Sequence, residues 1–259
     1  MSDEDKLINR IQSAARDCDE KSRPYFTRFL TEQEQAQLKA LHFPVGITAV
    51  FFGGKGNTEP VRQCLGLIPS FYLDDDFGGK LSAGAADMFP ISAVTFTYRK
   101  CDTLTHRDIL GSVMALGVER DTVGDIFVSD GKAAVYATEK IAEVICSAIS
   151  KIGRVGVKCS IGLDFELPRQ QYEELRYSVA SLRLDNIVKC VTNTGRTAAV
   201  DKYIRPQLVQ VNSVICDNVS RILRQGDIIS VRGKGKFILS EIGDIGRKGN
   251  IHISVKKYI

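Results

Sequence analysis

At 259 residues, 44% apolar and 25% charged, the chain has the composition of an ordinary globular protein with room for two or three small domains. Its net charge of +4 is unevenly spread: residues 180–259 hold 14 Lys+Arg against 6 Asp+Glu, net +8, which leaves 21 against 25, net −4, for residues 1–179. No apolar run approaches a membrane span and the acidic start Met1-Ser2-Asp3-Glu4-Asp5 does not read as a signal peptide, so neither a membrane nor a secreted setting is expected, and a basic module on a mildly acidic body points to a polyanionic partner.

Residues 1–84 read as an N-terminal αβ region. Phe51-Phe52-Gly53-Gly54 closes a strand. Gly53-Gly54-Lys55-Gly56 lacks the spacing of a phosphate loop and reads as a flexible turn. Asp74-Asp75-Asp76 has no further ligands at calcium-loop spacing and reads as a solvated loop opening a linker that ends near Gly84.

Residues 85–165 follow the order strand, helix, strand, strand, helix, strand. Val94, Phe96 and Tyr98 alternate in the first strand. Thr105 with Asp108 three residues later starts a helix whose inner face is Ile109, Leu110, Val113 and Leu116 or Gly117. Ser129-Asp130-Gly131 joins two strands as a hairpin, and Thr138 caps a helix with Ile141, Val144, Ile145, Ala148 and Ile149 inward. Val155 to Ile161 is the last strand. This βαββαβ order is the ferredoxin-like pattern, common among RNA-binding modules. Phe96, Tyr98 and Tyr136, near Arg99-Lys100 and Arg107, could offer bases a stacking surface. The absence of the Lys/Arg-Gly-Phe signature favours Phe96 and Tyr136 as core. His106-Arg107-Asp108 and Asp76-Phe77-Gly78 mimic kinase triplets, but in the wrong order and without the strand lysine.

Residues 166–180, with Pro168 and a polar run, read as a connector. Beyond it, Leu184, Ile187, Val188 and Val191 make one apolar helical stripe, with Ser181 as N-cap and Asp185 near the positive end of the dipole. Asn193-Thr194-Gly195 breaks the stripe. A second begins at Val200, Tyr203 and Ile204 and stops at Pro206. Val209 and Val211, then Ile229 and Val231 after the Gly226-Asp227 turn, alternate as strands, and a hairpin around Arg247-Lys248-Gly249-Asn250 closes the chain. With the stripes inward, Arg183, Lys189, Arg196, Lys202 and Arg205 face outward. With Arg232, Lys234 and Lys236 they form the candidate RNA-binding set, Arg183 and Arg196 addressing phosphate at two helix starts.

Arg183-Leu184-Asp185, Thr194-Gly195-Arg196-Thr197-Ala198, Val209-Gln210-Val211-Asn212 and Gly226-Asp227-Ile228 through Phe237, in this order, resemble the S4 RNA-binding domain. One departure is Gln207, where the pattern usually carries glycine. Further upstream, Phe51-Phe52-Gly53-Gly54, Thr105 to Gly117 and Val118 to Ile126 resemble the YlmH family of bacterial proteins. Where that family carries a basic Ala-Glu-Arg segment, this chain has Lys55 to Arg62. The resemblance implies an α+β protein: an N-terminal αβ region (1–84), a ferredoxin-like domain (85–165), a connector (166–180) and a C-terminal S4 domain with closing hairpin (181–259). It implies a cytoplasmic, non-catalytic protein that binds rRNA or tRNA on a ribosomal particle.

Seven scattered cysteines, without a C-x-x-C pair, fit reduced thiols. His42, His106 and His252 suggest no zinc site, and neither metal nor cofactor is expected. The alternative is an rRNA-modifying enzyme of the pseudouridine synthase or methyltransferase type, using the S4 domain for delivery. Against it stand the C-terminal position of that domain and the lack of a glycine-rich cofactor loop after a strand.

Overall fold

The computed structural model describes residues 3–54, 61–73, 83–246 and 249–259. The expected features at Lys55-Gly56 and on to Pro60, at Asp74-Asp75-Asp76 with Phe77-Gly78, and at Arg247-Lys248 lie outside the described residues. The chain is α+β with several sheets, in two compact units, residues 1–169 and 170–259.

In the first unit, α1 (Asp3–Lys21) buries Leu7, Ile11, Ala15 and Cys18, a stripe at helical spacing. It covers an antiparallel sheet of β1 (Tyr25–Phe26), β3 (Cys64–Pro69) and β2 (Ile47–Phe52), in that order. Between β1 and β2 lies α2 (Glu32–Lys39), opened by a Thr31–Glu34 capping box. After the short α3 (Ala83–Asp87) come β4 (Ile91–Thr97), α4 (His106–Met114), β5 (Val123–Ser129), β6 (Lys132–Thr138) and α5 (Glu139–Ala148). A two-strand ribbon, β7 (Lys151–Ile152) with β8 (Val155–Gly156), leads to β9 (Lys158–Ile161). The sheet order β5-β6-β4-β9 is antiparallel throughout, with β4 between β6 and β9.

Both faces of β4 and β6 are covered. Val94, Phe96, Ala133 and Val135 join Ile109, Val113, Ala142 and Ile145 of α4 and α5 in one core. Ala93, Ala134 and Tyr136 face the other way, onto Phe29, Cys64, Ile68 and Phe89. A strand buried on both sides loses the in–out alternation of a half-exposed one, which is why Thr95 is buried too. Phe96, Tyr98 and Tyr136 are therefore interior side chains, and no base can stack on them. Burial pushes the Tyr136 phenol up to about 12. Gly54, at φ +122°, lies so close to the Tyr136 ring that an added Cβ would sit 2.4 Å from it, so the end of Phe51-Phe52-Gly53-Gly54 is a packing contact. The His106-Arg107-Asp108 triplet has a structural role as well: Asp108 accepts from Thr105 N and Oγ1, at 2.8 and 2.6 Å, and closes the capping box of α4.

The second unit begins inside the stretch expected to be a connector. Most of 166–180 is a strand, β10 (Tyr172–Val179), paired along its whole length with β15 (Ile251–Tyr258). Its polar sequence reflects one exposed face, not a linker. Helix α6 (Leu184–Thr192) follows, then α7 (Arg196–Ala199), which continues as a π-helical turn over Val200–Ile204. The antiparallel strands β11 (Val209–Val211), β12 (Val214–Ile215), β13 (Ile228–Val231), β14 (Gly235–Ile245) and β15 complete a sheet of order β10-β15-β14-β13-β11-β12. Leu184, Ile187, Val188, Ala199 and Ile204 bury against Val209, Val211, Phe237, Leu239, Ile253 and Val255. Each such Val, Leu, Ile or Phe side chain contributes about 1.5–3 kcal/mol by leaving water. This core is complete within residues 170–259.

Candidate nucleic-acid interface

The candidate cations sit on a frame set by two short helices. Helix α6 starts at Arg183, whose extended backbone (φ −70°, ψ 146°) makes it the N-cap, without a side-chain cap. Ser181 is not the cap; its Oγ accepts from Asn186 Nδ2 at 2.8 Å. The helix ends at Asn193, left-handed at φ 51°, and Thr194 N returns to Lys189 O at 3.1 Å. Asparagine tolerates this conformation better than most side chains, so a tight turn is possible here without glycine. The turn brings Arg196, at the start of α7, back across the first turn of α6.

There Arg196 meets Asp185. The Asp185 side chain is 2% exposed and holds two guanidinium groups. Arg196 donates through Nε and Nη2 at 2.9 and 2.6 Å, and Arg183 through Nε and Nη2 at 3.3 and 3.0 Å. Asn186 N donates to the same carboxylate at 2.8 Å. Burial pushes the Asp185 pKa up, but the hydrogen bonds and charges of Arg183 and Arg196 outweigh it and hold the carboxyl below its ordinary value. The hydrogen bond to Asp185 raises the Arg183 pKa in turn.

The expected pair of phosphate grips is thus already engaged with Asp185. The amino end of α6 is closed by protein: Leu184 N donates to Arg221 O at 2.8 Å and Asp185 N to Val219 O at 3.3 Å. No phosphate can take those donors. Arg183 and Arg196 are first of all braces for a buried carboxylate. They carry one charge more than they neutralise, and their Nη1 groups lie outside the bonds to Asp185.

The other cations divide into two places. Lys202 and Arg205 are exposed along the π-helical turn, Arg205 paired with Asp201 at 2.7 Å. Arg232 and Lys234 are exposed at the tip between β13 and β14. Arg232 N donates to Leu208 O at 3.0 Å, which ties this tip to the segment just past Arg205. Lys189 is half-buried near the end of α6. Lys236 does not join them: it alternates with the buried Phe237 and so lies on the sheet face opposite α6 and α7. Sequence patterns leave out Arg221 and Val219, whose carbonyls close α6. That contact spans over thirty residues of chain, through α6, α7, β11 and β12, and carries no periodic signal.

Among the described residues no group of three or more His, Cys, Asp or Glu side chains is placed to hold a metal ion, and no helix is long and apolar enough to cross a membrane. All seven cysteines are free thiols.

Comparisons with known proteins agree with the YlmH-like motifs between Thr105 and Ile126. A family model described as "Putative RNA-binding domain in YlmH" matches residues 85–162. The "Ribosome-associated protein quality control protein P2" of Bacillus subtilis (strain 168) is 25% identical over 260 residues, spanning 98% of this chain and 95% of the relative. The chain resembles the YlmH family. A solved structure, "Cell division protein ylmH from Streptococcus pneumoniae", is 23% identical with a TM-score of 0.46, covering 63% of this chain and 93% of that one. The YlmH family model falls on the four-stranded sheet of the first unit, whereas the braced arginines fall outside it, in the second unit.

Proposed function

We propose that this chain is a non-catalytic, cytoplasmic RNA-binding protein of ribosome-associated translation or quality control. In this reading it grips structured RNA, rRNA or tRNA on the large subunit. The near full-length similarity to a ribosome-associated quality control protein is the observation that carries it. The basic second unit supplies the chemistry: residues 170–259 hold 15 Lys+Arg and 8 Asp+Glu on an acidic remainder. In the finer reading, residues 85–165 are a ferredoxin-like domain and the C-terminal part is an S4 domain. The split βαββαβ order with β4 between β6 and β9 supports the first, and the two short helices on an antiparallel sheet support the second.

The RNA-binding set of this reading is Arg183, Lys189, Arg196, Lys202, Arg205, Arg232 and Lys234, with Lys236 on the other face of the sheet. Lys202, Arg232 and Lys234 are the exposed contributors to backbone contact, and the braced Arg183–Arg196 pair presents one net charge in a fixed orientation. Crosslinking the protein in cells and sequencing the attached RNA tests the reading. Reads concentrated on rRNA or tRNA are expected; recovery at the level of an uncrosslinked control refutes it.

A further inference from the structure

The sheet of residues 170–259 has a covered face and an open one. Phe237, Leu239, Ile253 and Val255 point into the core with α6 and α7. Their neighbours point the other way. Tyr172 and Glu174 on β10 lie opposite Tyr258 and Lys256 on β15, and Lys236, Ile238 and Ser240 follow on β14. A concavity of about 620 Å³ opens on this face, bordered by Tyr172, Gln225, Gly226, Ile238, Ser240 and Lys256.

Its chemistry is aromatic and basic. The Tyr172 and Tyr258 rings meet edge to face at 5.1 Å, and Tyr172 is 41% exposed. Lys236 Nζ lies 5.2 Å from the Tyr258 ring centre, and Lys256 Nζ 5.9 Å from that of Tyr172. Carboxylates on this face include Glu174, 3.9 Å from Arg176, and Glu241, 3.4 Å from Ser254 Oγ.

We propose that this open face is a second RNA-contact surface, where an unpaired base stacks on Tyr172 and Tyr258 while Lys236 and Lys256 take the adjoining phosphates. This rests on the RNA-binding reading above and adds to it a substrate class, single-stranded RNA next to a structured element. Every base has a π-face, and a tyrosine ring flanked by ammonium groups matches base and phosphate together. Lysine stems are flexible, so an ammonium now over a ring can swing to a phosphate as the base takes its place. β14 and β15 are each paired on both edges, so an added strand could join this side of the sheet only along the edge of β10, not over the Lys236 and Lys256 face. The helix-side cations lie across the sheet, so one unit can hold folded RNA on one face and an unpaired segment on the other.

The test uses the full chain with two probes, an RNA hairpin and the same hairpin with a tail of about five uridines. Wild type is expected to bind the tailed hairpin roughly tenfold more tightly. Tyr172→Ala with Tyr258→Ala should bring the tailed probe down to the blunt one, with blunt-probe affinity unchanged. Phe at both positions should keep the preference. If the alanine pair unfolds the unit, Lys236→Gln with Lys256→Gln takes its place and should cut the preference. A wild type that binds both probes equally, or a preference that survives the alanine pair or its glutamine replacement, overturns the proposal alone. A wild type that binds neither probe overturns the RNA reading and this proposal together.

Discussion

Arg196 places Nε and Nη2 at 2.9 and 2.6 Å from a single oxygen of Asp185, eleven residues earlier in the chain. This bond pins the start of α7 to the start of α6. It turns a loose helix–turn–helix sequence into one rigid edge, with Arg183 completing the clamp on the same carboxylate.

Removing both arginines strands the buried Asp185 carboxylate. Arg183→Ala with Arg196→Ala should therefore lower stability, with an uncompensated Asp185 charge costing about 3 kcal/mol. A shifted urea midpoint checks this. A midpoint equal to wild type would show that Asp185 does not depend on them. Lost RNA binding by this variant is no proof of phosphate contact.

The same clamp sets a pH dependence. The folded Asp185 pKa is depressed, so its stabilising contribution is complete above the unfolded value, about 3.9, and disappears as pH falls through the lower folded value. Asp185→Asn should be less stable than wild type at pH 7, and the gap between their urea midpoints should narrow on acidification below about pH 4. A gap independent of pH contradicts the depressed carboxylate.

Much of the second unit was legible in the sequence. Leu184, Ile187 and Val188 are the buried stripe of α6, and Val209, Val211, Ile229 and Val231 are buried where alternation put them. The clamp was not legible: which charges pair across a turn depends on where the turn aims them. Nor was β10, whose partner β15 lies some eighty residues away and whose Tyr172-Glu173-Glu174 start resembles a solvated run. Periodicity reports which residues are buried, not which distant strand covers them. In the first unit, Phe96 and Tyr98 are enclosed on the face that α4 and α5 cover, and Tyr136 on the opposite face, which is packed as well.

Gln207 occupies a left-handed backbone position, φ 59°, on the exposed turn before β11. A side chain there carries a penalty of about 1–2 kcal/mol, partly offset by the larger entropy glycine loses on folding. Gln207→Gly should therefore raise stability by about 0.5–1 kcal/mol with an unchanged denaturant slope. A destabilised glycine variant would mean that the Gln207 side chain contributes contacts of its own.

The boundary between the units falls at Arg169, which is exposed and lies in a segment without regular structure. Limited trypsin digestion should cut there and release a folded 170–259 piece, because its core is internal. A piece beginning at residue 181 lacks β10 and should melt earlier. Equal melting of the two would show that β10 adds nothing to the sheet.

Exposed cations, not the clamp, should carry the salt dependence. With about four to six phosphates neutralised, log affinity should fall by about 0.7–0.9 per phosphate against log salt. Lys202→Ala, Arg232→Ala and Lys234→Ala together should reduce that slope by about two to three units without moving the melting temperature. An unchanged slope would remove these three from the interface.

In the proposed reading the intact chain is held on a ribosomal particle through its basic unit. Gradient sedimentation of a cell extract at low salt distinguishes this from a free protein. The protein should travel with the large subunit, and return to the top of the gradient when Lys202, Arg232 and Lys234 are replaced by alanine. Wild-type protein that stays at the top, or travels only with free RNA, contradicts the claim.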